Sequence, residues 1–222
     1  MPETALGHRR SSPSGTHSGP RSRKGEQTRA RLIEAARVVF ERDGFLTARI
    51  ADIAIGAGMS QGAFYHYFDS KEQIFREVAD AQEQRLTAPS DAARVTTTGS
   101  DTDSPRAVIG AANRRYFERY RDAAGLMGVI EQVSRYDEQV NAARFATMQH
   151  FVVRAEGSIR RLQREGLADR KLDATIAADA LGAMVARFAE LWLVQGYRDY
   201  EFEEAVDQLT RLWANALGLA DR

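Results

Sequence analysis

The sequence predicts an all-α protein of about nine helices, with a small N-terminal domain of three helices that contains a helix-turn-helix and a larger helical domain. Three observations support this fold class. Apolar residues recur at three- and four-residue steps along most of the 222 residues. No stretch of useful length alternates apolar and polar residues as a strand would. Glycine, proline and serine interrupt the pattern at positions typical of helix ends.

The first 24 residues are predicted to be a disordered basic tail, because they are rich in Ser, Gly, Pro, His and Arg and contain almost no apolar side chains. Two interpretations of this tail stay open, a solvated extension and a basic arm that contacts DNA. From Glu26 a helical pattern runs to Gly44, which can take the left-handed conformation at a helix end. The small domain is predicted to span residues 25–71 and the larger domain residues 72–222.

The stretch from Ile53 to Lys71, which reads IAIGAGMSQGAFYHYFDSK, is typical of a helix-turn-helix. Gly58 supplies the turn, and Ser60 stands where an N-cap belongs. The helix that follows is too short to bury more than one face, so Phe64 and Phe68 are expected in the core. The other side chains are expected to face outward and suit a DNA duplex; they are Gln61, Gly62, Ala63, Tyr65, His66 and Tyr67.

A capping box follows, with Ser70 as the N-cap and Gln73 reaching back, and it predicts a fourth helix from Lys71 to about Leu86. This helix is expected to connect the two domains. Lys71 would lie at a helix start, beside free N–H groups, and is expected to contact a DNA phosphate. The charge distribution agrees, since residues 1–71 carry 11 Lys and Arg against 7 Asp and Glu in a chain of zero net charge.

Residues from about Thr28 to Lys71 resemble the DNA-binding domain of the TetR family of transcriptional regulators. The motifs that carry the resemblance are Asp43-Gly44-Phe45, Asp52-Ile53-Ala54, Ala57-Gly58, Tyr65-His66-Tyr67-Phe68 and Ser70-Lys71. The resemblance implies contacts with DNA bases or phosphates at Gln61, Gly62, Ala63, Tyr65, His66, Tyr67 and Lys71. Ser60, at the start of the same helix, is counted with these DNA-binding candidates.

The chain departs from the family pattern just before its second helix. Ala48 and Arg49 stand where the family usually has two threonines, and Ala51 stands where many members have a basic residue. The usual hydroxyl N-cap is therefore missing. Either Thr47 caps the second helix from an earlier position, or Arg49 contacts a phosphate without capping, and Arg49 is added to the DNA-binding candidates.

Beyond the fourth helix, Pro89 to Pro105 is predicted to be a loop, with Ser104 and Pro105 as the cap and first position of a fifth helix. The remaining helical patterns cover Ala107–Tyr120, Gly125–Arg135, Asp137–Glu165, Ala174–Tyr197 and Phe202–Leu217. The last two are rich in small and apolar residues, so they either close the subunit's own core or form an interface. The resemblance implies a homodimer through these two helices, which would present two recognition helices to a palindromic operator in double-stranded DNA.

Aromatic residues, methionines and one acidic residue on helices five to eight form a candidate effector pocket, although such a stripe is also typical of ordinary core. The candidates are Tyr116, Phe117, Tyr120, Met127, Glu131, Phe145, Met148, Phe188 and Trp192, with Ile130 and Phe151 beside them. Glu131 either anchors the polar group of a ligand or faces solvent on the other side of its helix. The resemblance implies a pocket in this domain without assigning its residues, and their apolar character favours a small hydrophobic effector.

The sequence contains no cysteine, no histidine pair with ligand spacing, no glycine-rich phosphate loop and no nucleophile elbow. No metal, cofactor or enzymatic activity is therefore expected. It also contains no apolar run of about 18 residues and no signal-peptide pattern, so a soluble cytoplasmic protein without a membrane partner is expected. The resemblance implies a ligand-responsive repressor, and an activator or co-regulator with the same DNA-binding mode is the alternative.

Overall fold

The structure, a computed structural model, describes residues 23–88 and 104–219. Within these residues it contains nine α-helices, one π-helical segment and no strand, so the predicted all-α fold class is confirmed. The helices are α1 (Arg23–Thr47), α2 (Ile50–Gly56), α3 (Gln61–Phe64), α4 (Lys71–Thr87), α5 (Pro105–Asp122), α6 (Ala124–Ser134), α7 (Glu138–Arg164), α8 (Ala174–Ala189) and α9 (Phe202–Ala216), and the π-helical segment is Glu190–Val194.

The predicted tail and the predicted loop fall mostly outside the described residues, at 1–22 and 89–103. Within the described part, Arg23 and Lys24 already belong to α1, three residues before the predicted start of the helical pattern at Glu26. Ser104 caps α5 as predicted, since its hydroxyl accepts from the Ala107 N–H at 3.2 Å. None of the described helices combines the length and the apolar character that a bilayer-spanning segment needs.

Helices α1, α2 and α3 form the small domain through two sharp changes of direction. Helix α1 bends at Gly44, whose φ of 72° is available to glycine without strain. Helix α2 ends in a Schellman motif around Gly58, in which the Met59 N–H donates to the Ala54 carbonyl at 3.0 Å. The next residue, Ser60, caps α3, as its position in the sequence predicts.

Helix α3 is only four residues long and continues as tight turns to Phe68. Phe64 and Phe68 are buried, with ring centroids 5.7 Å apart, which confirms the predicted core face. The guanidinium of Arg29 on α1 lies 4.8 Å from the centre of the Phe68 ring. The start of α1 is therefore fixed against the end of the recognition helix.

Helix α4 begins with the predicted capping box, shifted by one residue. The Ser70 hydroxyl accepts from the Gln73 N–H at 3.1 Å, while the Gln73 side chain accepts from the N–H of Asp69 rather than from that of Ser70. Helix α4 packs against α1 in the small domain and against α5 and α7 in the larger one. It therefore connects the two domains, as the sequence predicts.

An ion pair also fixes α4 to the start of α7. Arg76 on α4 lies 2.9 Å from the carboxylate of Asp137, and the same carboxylate caps α7 by accepting from the N–H groups of Gln139 and Val140. Burial raises the pKa of Asp137, but Arg76 and the two N–H groups outweigh it and hold the pKa below its usual range. The charged form is therefore the one that this contact favours.

The two domains share one hydrophobic core. Buried residues run from Phe40 in the small domain, through Phe75 on α4, to Ile130 and Trp192 in the larger domain. Helix α1 packs against α6, α7 packs against α8, and α9 packs against α5. A second, smaller core around Ile159 lies among α7, α8 and the end of α9. The small domain is thus held against the larger one by packing as well as by the chain.

Candidate DNA-binding surface and candidate effector site

The recognition surface, which we define as Ser60 to Ala63 and Tyr65 to Tyr67, lies on the side of α3 opposite Phe64. Ser60, Gln61, Gly62, Tyr65 and His66 are exposed, whereas Ala63 and Tyr67 are partly buried. The Tyr65 ring is 50% exposed and packs edge to face against Phe64, with centroids 5.4 Å apart. Of the six side chains predicted to face outward, Gln61, Gly62, Tyr65 and His66 are exposed, and Ala63 and Tyr67 are only partly so.

Gly62 is the residue of this surface whose identity the fold does not explain. Its φ is not positive, and an added Cβ would meet only the Ser60 hydroxyl oxygen, at 3.9 Å. Glycine inside a helix destabilises it by about 1 kcal/mol relative to alanine. Because nothing within the described chain requires glycine here, close approach of an external partner is the better physical reason for it.

Arg49 occupies the N-cap position of α2 with an extended backbone, at φ −115° and ψ 139°, and its side chain makes no capping hydrogen bond. Thr47 is the last residue of α1 and does not cap α2. Arg49 is exposed, and no carboxylate of the described residues lies within ion-pair distance of it. By contrast, Arg37 and Arg42 on α1 pair with carboxylates of their own helix. A cation is thus available at the start of α2.

Lys71 does not extend into solvent as the predicted phosphate contact requires. Its Nζ donates to the carbonyl oxygens of Phe45 at 2.7 Å, Leu46 at 3.2 Å and Ala48 at 3.1 Å. It also lies 4.8 Å from the centre of the Phe45 ring. An ammonium group has three N–H donors, and all three have acceptors here. A contact between Lys71 and a DNA phosphate would have to replace one of these bonds.

In the larger domain, six side chains from four elements form an aromatic cluster. They are Tyr116, Phe117, Tyr120, Phe151, Phe188 and Trp192. The ring centroids of Tyr116 and Phe151 are 5.5 Å apart, and those of Phe117 and Trp192 are 5.9 Å apart. Phe117 is fully buried. The structure therefore brings together five of the nine effector candidates, with Phe151 as a sixth member.

The other four effector candidates do not join this cluster. Phe145 and Met148 on α7 are 53% and 39% exposed. Glu131 is partly buried, with 20% of its side chain exposed, and it pairs with Arg135 one turn away at 2.7 Å. Met127 is buried in the shared core. Helix α7 therefore leaves the side chains of Phe145 and Met148 largely exposed, although Phe151 on the same helix contacts Tyr116.

A buried carboxylate that the sequence interpretation missed lies on α4. Glu83 is 5% exposed, and burial raises its pKa, while a hydrogen bond with Thr147 and the charge of Arg144 act in the opposite direction. Arg144 donates to the hydroxyl of Ser134 at 2.8 Å. Glu83 follows Ala79 by four residues and precedes Leu86 by three, so helical spacing alone places it on the buried stripe of α4.

The tyrosines of the aromatic cluster share this polar environment. Burial raises the pKa of Tyr116 and of Tyr120, and the negative charges of Glu83 and Glu190 act in the same direction. Glu190 is itself buried, at the start of the π-helical segment, where it contacts Arg187 at 2.6 Å and Gln195 at 3.0 Å. Both phenols therefore stay neutral and can act as hydrogen-bond donors beside the aromatic rings.

Two open depressions lie elsewhere on the described surface. One, of about 700 Å³, lies between α1 and α2; its lining includes Arg31, Glu34, Val38, Asp52 and Ile55. The other, of about 490 Å³, is lined by Arg160, Gln163, Arg164 and Arg170. No predicted effector residue lines either one. Among the described residues, no group of three or more His, Asp or Glu is arranged to hold a metal ion.

Comparison with known proteins identifies relatives for the small domain and for the whole fold. The family model for bacterial regulatory proteins of the tetR family matches residues 32–78. The uncharacterised HTH-type transcriptional regulator YdgC of Bacillus subtilis is 24% identical over 178 residues, which cover 79% of this chain and 86% of YdgC. The HTH-type regulator TtgR of Pseudomonas putida is 38% identical over 56 residues, which cover 25% of this chain and 27% of TtgR.

Solved structures share the complete architecture at low sequence identity. A structure from Mesorhizobium loti, described as that of a TetR-family transcriptional regulator, superimposes with a TM-score of 0.71 at 20% identity and covers 88% of this chain and 98% of its own. The regulator FadR of Bacillus subtilis, solved in complex with stearoyl-CoA, gives a TM-score of 0.65 at 15% identity over 83% of this chain and 96% of FadR. The fold described above is therefore shared with these two transcriptional regulators.

Proposed function

We propose that this chain, which belongs to the tetR family of bacterial regulatory proteins, is a homodimeric repressor that leaves a palindromic operator when a small hydrophobic effector binds its larger domain. Membership of the family makes it a transcriptional regulator and not an enzyme. The observation that carries the proposal is the recognition surface, an exposed set of amide, phenol and imidazole groups on a short helix. Its contents match the chemistry of base edges and phosphates in a DNA groove.

Each residue of this surface is given a role by its chemistry. Gln61 can pair with the N6 and N7 atoms of an adenine, and Gly62 allows the backbone to approach the bases. The hydroxyls of Tyr65 and Tyr67 are suited to phosphate oxygens. Arg49, which has no carboxylate partner among the described residues, supplies a cation for the DNA backbone on the neighbouring helix.

Exposed apolar side chains on the last two helices support a dimer. On α8, Ile176 is 69% exposed and shares one face with Ala180 and Ala183, while on α9 Leu212 is exposed together with Ala216 one turn later. Side chains of this kind on adjacent turns favour burial against another helix. A twofold dimer would place two recognition surfaces about 34–36 Å apart, as two half-sites separated by one turn of DNA require.

The aromatic cluster is the proposed effector site. It lies among α5, α7, α8 and the π-helical segment, and Glu83 and Arg144 provide polar groups near it on α4 and α7. The fold neighbour FadR binds an acyl-CoA, which supports an apolar effector for a domain of this shape. An effector that binds the operator-released state more tightly shifts the population toward it, and a shift from 1:99 to 99:1 needs about 5.5 kcal/mol of differential affinity.

Binding to DNA from the region upstream of the protein's own gene tests this function. We expect a sequence-selective complex whose affinity falls steeply with salt, and Gln61→Ala should reduce discrimination at one operator position by about 1–3 kcal/mol. Gln132→Ala, which removes an exposed glutamine from α6, is the matched control and should leave binding unchanged. Equal affinity for operator and unrelated DNA would exclude the proposal.

Sedimentation measurements test the dimer separately. Leu212→Glu places a charge on the proposed interface and should produce a folded monomer, whereas Val38→Glu, at a residue of similar exposure on α1, should stay dimeric. A wild-type monomer at micromolar concentration would contradict the dimer.

An activator or co-regulator would bind DNA in the same way as a repressor. Deleting the gene distinguishes a repressor from an activator, because expression of the target rises after loss of a repressor and falls after loss of an activator.

A further inference from the structure

The contacts of Lys71 join three elements of the small domain at one point. Lys71 is the first residue of α4, and its three acceptors, the carbonyls of Phe45, Leu46 and Ala48, lie 23 to 26 residues earlier in the chain. We call residues 44–49 the α1–α2 corner. Carbonyl groups at the C-terminal end of a helix have no hydrogen-bond partner within the helix. A lysine ammonium is positively charged and has three N–H donors, so it can hydrogen-bond to several of these carbonyl oxygens at once.

The corner has little other support from side chains. Gly44 bends the chain, and the Ala48 N–H donates back to the Gly44 carbonyl at 3.2 Å. Arg49 stands at the N-cap of α2 but gives it no side-chain hydrogen bond. In a chain that has Ala48 and Arg49 where hydroxyl residues would cap α2, the ammonium from α4 holds the residues just before that helix.

We propose that Lys71 is a positioning residue that fixes the α1–α2 corner to the start of α4, and so fixes Arg49, rather than a ligand of a DNA phosphate. The Ala48 carbonyl, which accepts from Lys71, is joined directly to the nitrogen of Arg49. The part of this inference that concerns DNA rests on the proposed function. The part that concerns the corner does not, because it can be measured without DNA.

This arrangement also defines how the larger domain reaches the DNA-binding residues. Helix α4 is held to the larger domain by the pair between Arg76 and Asp137 and by packing against α7. Its first residue follows the recognition surface by a short link through Phe68 to Ser70, and it is joined to the α1–α2 corner through Lys71. A displacement of α4 therefore moves the recognition surface and Arg49 together.

Hydrogen exchange in the DNA-free protein tests the corner directly. Lys71→Met keeps the length of the side chain and removes its three donors. We expect exchange of the Asp52 and Ile53 amides, which donate to the Arg49 carbonyl at 3.1 and 3.2 Å, to become about tenfold faster or more. Lys71→Arg retains a charged donor and should restore part of the protection. Amides of α7 and α8, and the control Lys171→Met, should not change.

Unchanged exchange at Asp52 and Ile53 in Lys71→Met would overturn the proposal. Circular dichroism shows whether Lys71→Met folds. If it does not, Lys71→Gln is measured instead: faster exchange of the Asp52 and Ile53 amides supports the proposal, and unchanged exchange overturns it. This experiment uses no operator, so its result does not depend on the proposed function. If the wild-type protein failed to bind DNA, the proposed function would be wrong, and hydrogen exchange would still test the role of Lys71 at the α1–α2 corner.

Operator binding then separates positioning from a direct contact. If Lys71 acts through Arg49, Lys71→Met should weaken operator binding in the wild-type protein and weaken it much less in the Arg49→Ala variant. The double variant and Arg49→Ala should then show the same dependence of operator affinity on salt concentration. If Lys71 binds a phosphate of its own, the fold losses in operator affinity caused by the two substitutions multiply. The slope of log affinity against log salt concentration then falls by about one for each residue removed. The second result would overturn the proposal.

Discussion

The recognition surface and the aromatic cluster differ in how the chain builds them. The recognition surface uses residues 60–63 and 65–67, which are close neighbours in sequence and are exposed or partly exposed in the structure. The aromatic cluster uses side chains between Tyr116 and Trp192, which come from separate helices and are mostly buried. The first presents polar side chains to solvent, whereas the second is filled by its own side chains.

This difference is reflected in the stability that each region can contribute. Exposed polar residues on a four-residue helix add little to the free energy of folding, so their identities are free to serve binding. Rings that pack at 5.5–6.1 Å in the interior contribute to stability wherever they lie. A ligand site within the cluster therefore competes with the packing of the folded state.

The largest expected effect concerns the packing of the cluster. Phe117→Ala should reduce the free energy of unfolding by about 3–5 kcal/mol, because a fully buried ring is lost and the surrounding rings close the space only in part. Urea unfolding followed by circular dichroism, at a fixed protein concentration, measures the change. A loss of less than about 1 kcal/mol in the free energy of unfolding would show that the cluster is loosely packed. The contrast between an exposed recognition surface and a tightly filled aromatic cluster would then be wrong.

Phe145→Ala is the matched control for this measurement. The same ring is removed from the same half of the molecule, but from a position that is 53% exposed. We expect a change within about 0.5 kcal/mol. A cost equal to that of Phe117→Ala would mean that Phe145 is buried in the functional assembly.

The sequence predicts the recognition region well because its structure depends on contacts between close neighbours. Ser60 bonds to Ala63 and Ser70 to Gln73, both within three residues, and Phe64 and Phe68 share a face because they are four apart. Such contacts follow from helix geometry and capping chemistry alone. The first four helices and their core face are therefore predictable from the sequence.

Sequence patterns do not predict contacts between residues that are distant in sequence. The acceptors of Lys71 lie more than 20 residues away, and neither helical periodicity nor a capping pattern reports on them. Phe145 and Phe151 belong to one apolar stripe in the sequence, yet only Phe151 reaches the cluster, because the path of α7 over α4 and α8 decides which side is buried. The π-helical segment likewise has no signal in spacing.

A smaller effect, of opposite sign for folding and for binding, is expected at Gly62. Gly62→Ala should stabilise the fold by up to about 1 kcal/mol, since nothing in the chain lies close to the added methyl group. The same methyl group should weaken operator binding, because it stands where the backbone is expected to approach DNA. Thermal unfolding and operator titration of one preparation measure both changes.

Gly157→Ala on α7 is the control for Gly62→Ala. An added Cβ at Gly157 also meets nothing within 4 Å, so a similar gain in stability is expected, without any change in operator affinity. If Gly62→Ala bound the operator as tightly as the wild type, the recognition surface would not be in close contact with the duplex at this residue. The contrast between an open surface and a filled cluster would then lose its functional meaning.

The smallest expected effect is a pH dependence that originates at Glu83. Burial raises the pKa of this carboxyl, and the hydrogen bond with Thr147 and the charge of Arg144 offset part of that rise. Because the unfolded state then loses its proton at lower pH than the folded state, this group reduces stability as pH rises above the unfolded pKa, near 4.3. Below that pH both states are protonated, and the reduction is absent.

Glu83→Gln keeps the shape of the side chain and removes the titration. The variant should be more stable than the wild type at pH 7, and the difference should disappear by about pH 3, as measured by urea unfolding across this range. Glu165→Gln, at an exposed residue that ends α7, should show no such trend. A loss of stability at pH 7 would instead mean that the charged carboxylate is held by Arg144.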